Sequence, residues 1–377
     1  MLNNYRIGDK IYELRKAKGM TGEKLAELLN ISPQAVSKWE NGKSLPETVH
    51  LPVLAKILKC SIDELLMPAN GVFFINATIE NEVRKVLGKG ESDDLSEEDI
   101  LSITELKLNG LGLTDISDLE QFKNLTKLEI CSNSLTDLTP LSSLIKLETL
   151  AAGNDPFASD EEREKQKNHY KNLDFLKDLT NLKDISFIYC GITDITPIAH
   201  LKNLEEARLF SNKIEDISPI KELKNLKKIY FFDCRVTDIS VVKYLPQLEG
   251  IAINCNQVDD LSPLENCVNM TYLDAHDNRI YNIKPLKKLT KMIYLTLANN
   301  NITNLEGIED MQQLEHLTLS FNPVAKNIGA VKNLKRLKYL ELREMNITDD
   351  VKEDLKKAMP ECNIYYTYDE PGRFESE

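Results

Sequence analysis

TGEKLAELLNISPQAVSKWE, residues 21–40, decides how the first part of this chain folds. Leu25, Ala26 and Leu29 recur at the spacing of one helical face, and Val36 and Trp39 do so again after a break. Asn30 stands at the break and tolerates the left-handed turn conformation. Thr21 and Ser32 each precede a run, where a side-chain oxygen satisfies a free amide of the first helical turn. Pro33 then takes the first helical position, where its missing N–H costs nothing. Two short helices joined by a tight turn follow, with a polar face left on the second.

Outward from that core, Ile7, Ile11 and Leu14 predict a preceding amphipathic helix ending near Gly19. Pro46 is expected to open a fourth helix running through Leu58. Ser61 should cap a fifth containing Ile62, Leu65 and Leu66. Residues 1–68 therefore read as an all-α domain of five short helices.

Residues 6–46, RIGDKIYELRKAKGMTGEKLAELLNISPQAVSKWENGKSLP, resemble the lambda-repressor/Cro-like, or XRE-type, helix-turn-helix family, and the resemblance runs over residues 5–67. It implies a third helix that enters the DNA major groove, with Arg15 pairing Glu40 to hold the fold. The matching groove positions are Ser32, Pro33, Gln34, Ala35, Ser37 and Lys38. Gln34 suits adenine, Lys38 guanine or a phosphate, and Ala35 a thymine methyl. Thr21, Asn41 and Lys43 complete the DNA-facing set, the last two on phosphates that fix register without reading sequence. The family commonly has Gln directly after the threonine cap. Gly22 stands there instead, which removes one phosphate contact.

Charge supports this division of labour. The chain carries a net −13, but residues 1–70 hold ten basic and eight acidic residues, a net of +2. The remainder holds 37 basic and 52 acidic, a net of −15, and phosphate would be repelled from it.

Beyond about residue 72 the sequence repeats. Ile103, Leu125, Leu147, Leu182, Leu204, Leu226, Leu248, Met270, Met292, Leu314 and Leu337 begin eleven coils of the form LxxLxLxxNxI/LxDI/LxPLxxLxx, with a 22-residue period apart from an interruption in the third and a last step of 23. Such a period predicts a leucine-rich-repeat solenoid, each coil burying its leucines against its neighbours. Asn133, Asn212, Asn256, Asn278, Asn300 and Asn322 recur where the chain turns after its strand and must satisfy buried backbone groups. Cys190 and Cys234 take the same slot and read as structural. Asp-Ile-x-Pro segments such as 194–197 and 216–219 should form the outer side as extended or 3₁₀ turns.

This array resembles the internalin-like 22-residue leucine-rich repeats of bacterial proteins. The resemblance implies a helical N-terminal cap at 72–102, repeats at 103–348, a C-terminal cap at 349–366 and an acidic tail at 367–377. The fold class is α/β overall: the helical domain, then a solenoid with a parallel sheet on its concave face. A charged run at 159–170, within an insertion near 155–172, reads as a solvated helix on the rim.

In each strand the leucines face inward and the residues between them outward, and equivalent positions align in rows about 4.8 Å apart. The rows gather Ile188, Tyr189, Phe210, Tyr230, Phe232, Tyr272, Tyr294, His316 and Phe321. Glu205, Glu206, Asp233, Glu249, Asp274 and Asp277 surround them, with Arg208, Lys227 and Lys228. Exposed aromatics on a sheet with an acid-leaning rim suit a protein or peptide partner.

Seven scattered cysteines without CxxC pairs, and five dispersed histidines, predict neither disulfides nor a metal site. His276 and His316 lie two coils apart, too far to share a metal. No nucleophile–base set and no Gly-rich phosphate loop emerges, so neither an enzyme nor a cofactor is expected. Nothing resembles a signal peptide or membrane span, which predicts a cytoplasmic protein. The sequence thus reads as a transcriptional regulator: residues 1–68 on an operator in double-stranded DNA, as a homodimer, and a solenoid that docks a partner. The alternatives are a scaffold whose helical domain docks protein, and an array that drives self-association.

Overall fold

The computed structural model describes residues 4–66, 72–91, 93–156, 158–159, 161, 167–324 and 326–367. Apolar periodicity sets the helices of the first domain: α1 (Asn4–Ala17), α2 (Gly22–Leu29), α3 (Pro33–Glu40), α4 (Leu51–Leu58) and α5 (Ile62–Leu66). Ile7, Ile11, Leu25, Ala26, Leu29, Val36, Trp39, Leu54, Leu58 and Leu65 form their common core. Each boundary has a local cause. The Thr21 hydroxyl accepts the Lys24 N–H at 3.1 Å, and Asn30 sits in the left-handed region at φ 55° and ψ 45°. The Ser32 hydroxyl accepts the Ala35 N–H at 3.2 Å, and the αL Gly42 (φ 65°) follows the end of α3. At α5 the Ser61 and Glu64 side chains cap each other's amides at 2.9 and 2.7 Å.

The fourth helix departs from expectation. It begins at Leu51, not Pro46, after a 3₁₀ turn at Thr48–His50. Pro52 occupies its first turn, where proline is tolerated.

Helices α6 (Ala77–Leu87) and α7 (Glu97–Ser102) follow, and by contacts the chain divides into Met1–Ile103 with Ser117–Phe122, and Thr104–Ile116 with Lys123–Glu377. The segment at 117–122 joins the first group through specific bonds. Asp118 accepts the Ile75 and Asn76 N–H groups at 2.8 and 2.7 Å, Gln121 Nε2 donates to the Phe73 carbonyl at 2.9 Å, and Phe122 meets Phe74 at 6.3 Å between ring centres.

The second group is a solenoid. Among the described residues, twelve three-residue strands form one parallel sheet in sequence order. Strands β1 to β11 each begin two residues after a predicted coil start, from β1 (Glu105–Lys107) through β7 (Gly250–Ala252), β8 (Tyr272–Asp274), β9 (Tyr294–Thr296) and β10 (His316–Thr318) to β11 (Tyr339–Glu341). After α8 (Asp349–Ala358), β12 (Asn363–Tyr365) closes the sheet against β11. The middle residue of every paired strand except β12 is buried, as at Leu106, Leu128 and Leu273.

The asparagine slot works as the sequence implies. Asn212 Nδ2 donates to the Phe187 and Leu209 carbonyls at 2.7 and 2.8 Å, while its Oδ1 accepts the Cys190 and Ile192 N–H groups, both at 3.0 Å. Asn256, Asn278, Asn300 and Asn322 repeat the pattern one coil apart. Cys190 and Cys234 put a weak S–H donor in that place, toward the Ala152 and Leu209 carbonyls. Burial raises both thiols, Cys234 to about 11. On the outer side, Asp194, Asp216 and Asp238 each accept the N–H two residues on, and 3₁₀ turns begin there at Thr196–His200, Ser218–Glu222 and Ser240–Tyr244.

The insertion is only partly a solvated rim. Half of the run at 159–170 lies outside the described residues. Two of its last residues, Asn168 and Tyr170, are buried: Asn168 accepts the Leu135 N–H and donates to the Ile130 carbonyl at 3.0 Å, so it fills the asparagine slot of the third coil. Tyr170 donates its hydroxyl to the Ala152 carbonyl at 2.7 Å. The acidic tail from residue 368 onward lies outside the described residues.

Candidate functional site

Two surfaces carry the predicted site residues. The first is the outer face of α3. Val36 and Trp39 point inward, which leaves Ser32, Pro33, Gln34, Ser37 and Lys38 exposed and Ala35 half-buried. Asn41 and Lys43, just beyond the helix, are exposed, as is Thr21 at the head of α2. Asn41 is partly engaged, since its Nδ2 donates to the Ser37 carbonyl at 2.7 Å. The helix is anchored from behind. Arg15 grips Glu40 through two bonds of 2.6 and 2.7 Å and donates a third, at 2.6 Å, to the Met20 carbonyl. The Glu40 hydrogen bond is the main reason the guanidinium is held even more firmly charged than usual, against the cost of burial.

The second is the concave sheet face. The register aligns Tyr272, Tyr294, His316 and Tyr339 in one row, and the rings stack at 5.2, 5.2 and 4.8 Å between centres. Tyr365, two residues off that register, tilts against Tyr339 at 5.0 Å and ends the ladder. Phe210 and Phe232 stack at 3.9 Å, beside Tyr230 at the end of its strand. Burial lowers the His316 pKa from its ordinary value, so the ladder holds a neutral imidazole near pH 7. Carboxylates flank the rings: Arg208 links Asp184 and Glu206 at 2.9 and 2.5 Å, and Tyr339 donates to Glu341 at 2.8 Å.

Some predicted members sit elsewhere. Ile188 takes the same position of its coil as Phe210 and Phe232, but Tyr189 and Phe321 adopt φ of 55° and 59° in the turn after the strand, outside the strand rows. Simple alternation carried past the end of the strand misplaces them, because the chain turns there. Tyr339 and Tyr365, absent from the predicted rows, belong to the ladder. Tyr339 was within reach, since it follows its coil start by two residues as His316 does.

Coil stacking also joins residues that linear spacing keeps apart. Cys255, His276 and Asp277 bring one sulfur, one nitrogen and one oxygen within 4.8 Å of one another. A search for CxxC or HxxxH patterns does not see them. The 22-residue step between Cys255 and Asp277 is their signal.

The family profile described as "Helix-turn-helix" matches residues 11–65, and "Leucine Rich repeats (2 copies)" matches 224–266 and 268–310. The solenoid resembles the crystal structure of an internalin, inlF of Listeria monocytogenes, with TM-score 0.70 and 30% identity, covering 80% of this chain and 84% of that one. The chain belongs to the internalin-like leucine-rich-repeat proteins. Its N-terminal domain is of the XRE-type helix-turn-helix class. That domain is 45% identical over 60 residues to the HTH-type transcriptional activator BcrR of Enterococcus faecalis, a match over 16% of this chain and 29% of BcrR. It is 43% identical over 58 residues to the HTH-type transcriptional regulator DicA of Escherichia coli, a match over 15% of this chain and 43% of DicA. The chain thus spans less than half the length of each of these two regulators. Among the described residues no helix is long and apolar enough to cross a membrane.

Proposed function

We propose that this chain is a sequence-specific DNA-binding transcriptional regulator whose solenoid engages a protein or peptide partner. The observation that carries the first half is the exposed polar face of α3, with Gln34, Ser37 and Lys38 projecting from a helix clamped by Arg15 and Glu40. Such a helix fits the major groove, where an amide and an amine can read base edges and Ala35 can meet a thymine methyl. Thr21, Asn41 and Lys43 lie on its flanks and would hold phosphates. The likeness to the two regulators falls on this same domain.

The second half rests on the half-buried ring ladder and the stacked Phe210–Phe232 pair, beside a rim of carboxylates. Stacking rings present a rigid apolar surface at little entropic cost, as interface anchors do. Phe232→Ala should leave the fold intact while weakening capture of the partner.

The deciding experiment selects bound sites from random duplex DNA with the full-length protein. Enrichment of a defined sequence, lost in a Gln34→Ala, Lys38→Ala double variant, supports the reading. Recovery of random sequence, or binding indifferent to that variant, overturns it in favour of a domain that docks protein. With a net charge of only +2, residues 1–70 offer a polyanion little nonspecific attraction.

A further inference from the structure

We propose that Cys255, His276 and Asp277 form a binding site for one divalent transition-metal ion of zinc-like softness, at the edge of the concave face where β7 and β8 end. The site stands on the solenoid alone and is independent of the DNA-binding reading.

Cys255 and Asp277 occupy equivalent left-handed turn positions of neighbouring coils, with φ of 54° and 53°. The coils are locked together there, because Cys255 N–H donates to the His276 carbonyl and Asp277 N–H to that of Ala298, both at 3.0 Å. Side chains 22 residues apart therefore meet, and Cys255 Sγ lies 3.8 Å from Asp277 Oδ2. His276 precedes Asp277 and turns its Nε2 to the same oxygen at 3.6 Å. Zinc bonds of about 2.0–2.3 Å in tetrahedral geometry place ligand atoms about 3.3–3.8 Å apart, so these two edges match a bound ion.

Each donor is oriented by a further group. Asp274 Oδ1 lies 2.6 Å from His276 Nδ1, which fixes the ring and turns Nε2 toward the cluster as the ligating atom. Asn299 Nδ2 donates to Asp277 Oδ1 and so holds the other carboxylate oxygen. A buried amide borders the same place. Asn254 is 8% exposed, and its Oδ1 has no hydrogen-bond partner. Its Nδ2 lies 3.4 Å from His276 Nε2 and 3.9 Å from Cys255 Sγ. A half-turn of that amide brings the unpartnered oxygen to the fourth side of the cluster, where it ligates the ion or holds its water.

Thiolate, imidazole and carboxylate together select a borderline ion. Calcium and magnesium want six or more oxygens, which the cluster does not offer. Cys255 is exposed, so an ion has a path of entry, and its thiol proton passes to solvent on binding.

The test titrates the reduced, metal-stripped, full-length protein with Co²⁺. One equivalent should bind with a thiolate-to-cobalt charge-transfer band, and Zn²⁺ should displace it. Cys255→Ser should abolish the band while the other six cysteines remain. Asp274→Asn should weaken binding about 10–100-fold through the orientation of His276. Circular dichroism of each variant separates loss of the site from loss of the fold. A band that survives Cys255→Ser, a Co²⁺ affinity unchanged in His276→Ala or Asp277→Ala, or no equivalent bound at all, overturns the proposal.

Discussion

Single side chains carry the consequences of burial most sharply. Arg15 and Glu40 have side-chain exposures of only 6% and 11%, so removing one strands the other in a poorly solvated place. Arg15→Ala should cost about 3–5 kcal/mol of stability, read by urea unfolding. Replacing both partners by apolar residues of like volume should recover much of that loss, and if it does not, the pair matters for more than mutual neutralisation. Gln34 is the opposite kind of residue, exposed and without structural work. Gln34→Ala should leave unfolding unchanged, cost about 1–3 kcal/mol on the preferred duplex and relax preference at one base pair, measured by competition among single-base variants. A uniform loss across all variants would move Gln34 from the base edges to the backbone.

Elements show why some features were legible in the sequence and others were not. The caps at Thr21, Ser32 and Ser61 and the eleven strands follow from local pattern, because capping and coil stacking are set by residues whose partners lie at fixed offsets. The start of α4 was not, since Pro46 and Pro52 both suit a helix start and only the intervening 3₁₀ turn decides between them. The asparagine slot gives a direct check on an element. Asn212→Ala leaves the Cys190 and Ile192 amides and the Phe187 carbonyl without these bonds, and the Leu209 carbonyl with only the weak Cys234 S–H, at about 1–3 kcal/mol for each buried group left unsatisfied. Hydrogen exchange should quicken at Cys190 and Ile192 first, and an unchanged rate there would mean that solvent replaces the amide freely. The ring ladder adds a pH dependence. His316 has a folded pKa below its unfolded value near 6.5, so the unfolded chain binds the proton more readily. Its contribution is therefore whole above about pH 6.5 and is lost as pH falls through the folded pKa. The imidazole resonance should titrate below its ordinary midpoint, and His316→Phe should remove that part of the acid sensitivity.

Across the whole molecule, charge is the dominant fact. The first 70 residues are weakly basic and the rest strongly acidic, so nearly all favourable contact with a polyanion must pass through a few lysines of the first domain. Binding to duplex should weaken with salt by about 0.9 in log K per phosphate neutralised. Lys43→Ala should lower that slope by about one and weaken every sequence alike, measured by titration at several ionic strengths. A sequence-selective loss would place Lys43 at a base. The aromatic and metal-ligating groupings belong to this scale too. Residues one period apart in the chain become lateral neighbours, so a site is spelled at intervals of 22 and stays invisible to any reading of adjacent letters.

That interval has an evolutionary corollary. In the regular coils, as at Asn300, the slot amide reaches carbonyls 25 and three residues behind it, and its oxygen receives an amide 20 behind. Excising residues 292–313 would set Asn322 behind Asn278 as Asn300 now stands, with every bond remade by the next copy. The steps that depart from 22, from Leu147 to Leu182 and from Leu314 to Leu337, place their extra residues between strands, so the leucines of the next strand still face inward. Such a gene can therefore grow or shrink by whole turns of the coil, changing the width of its binding face in discrete steps while its interior chemistry stays the same.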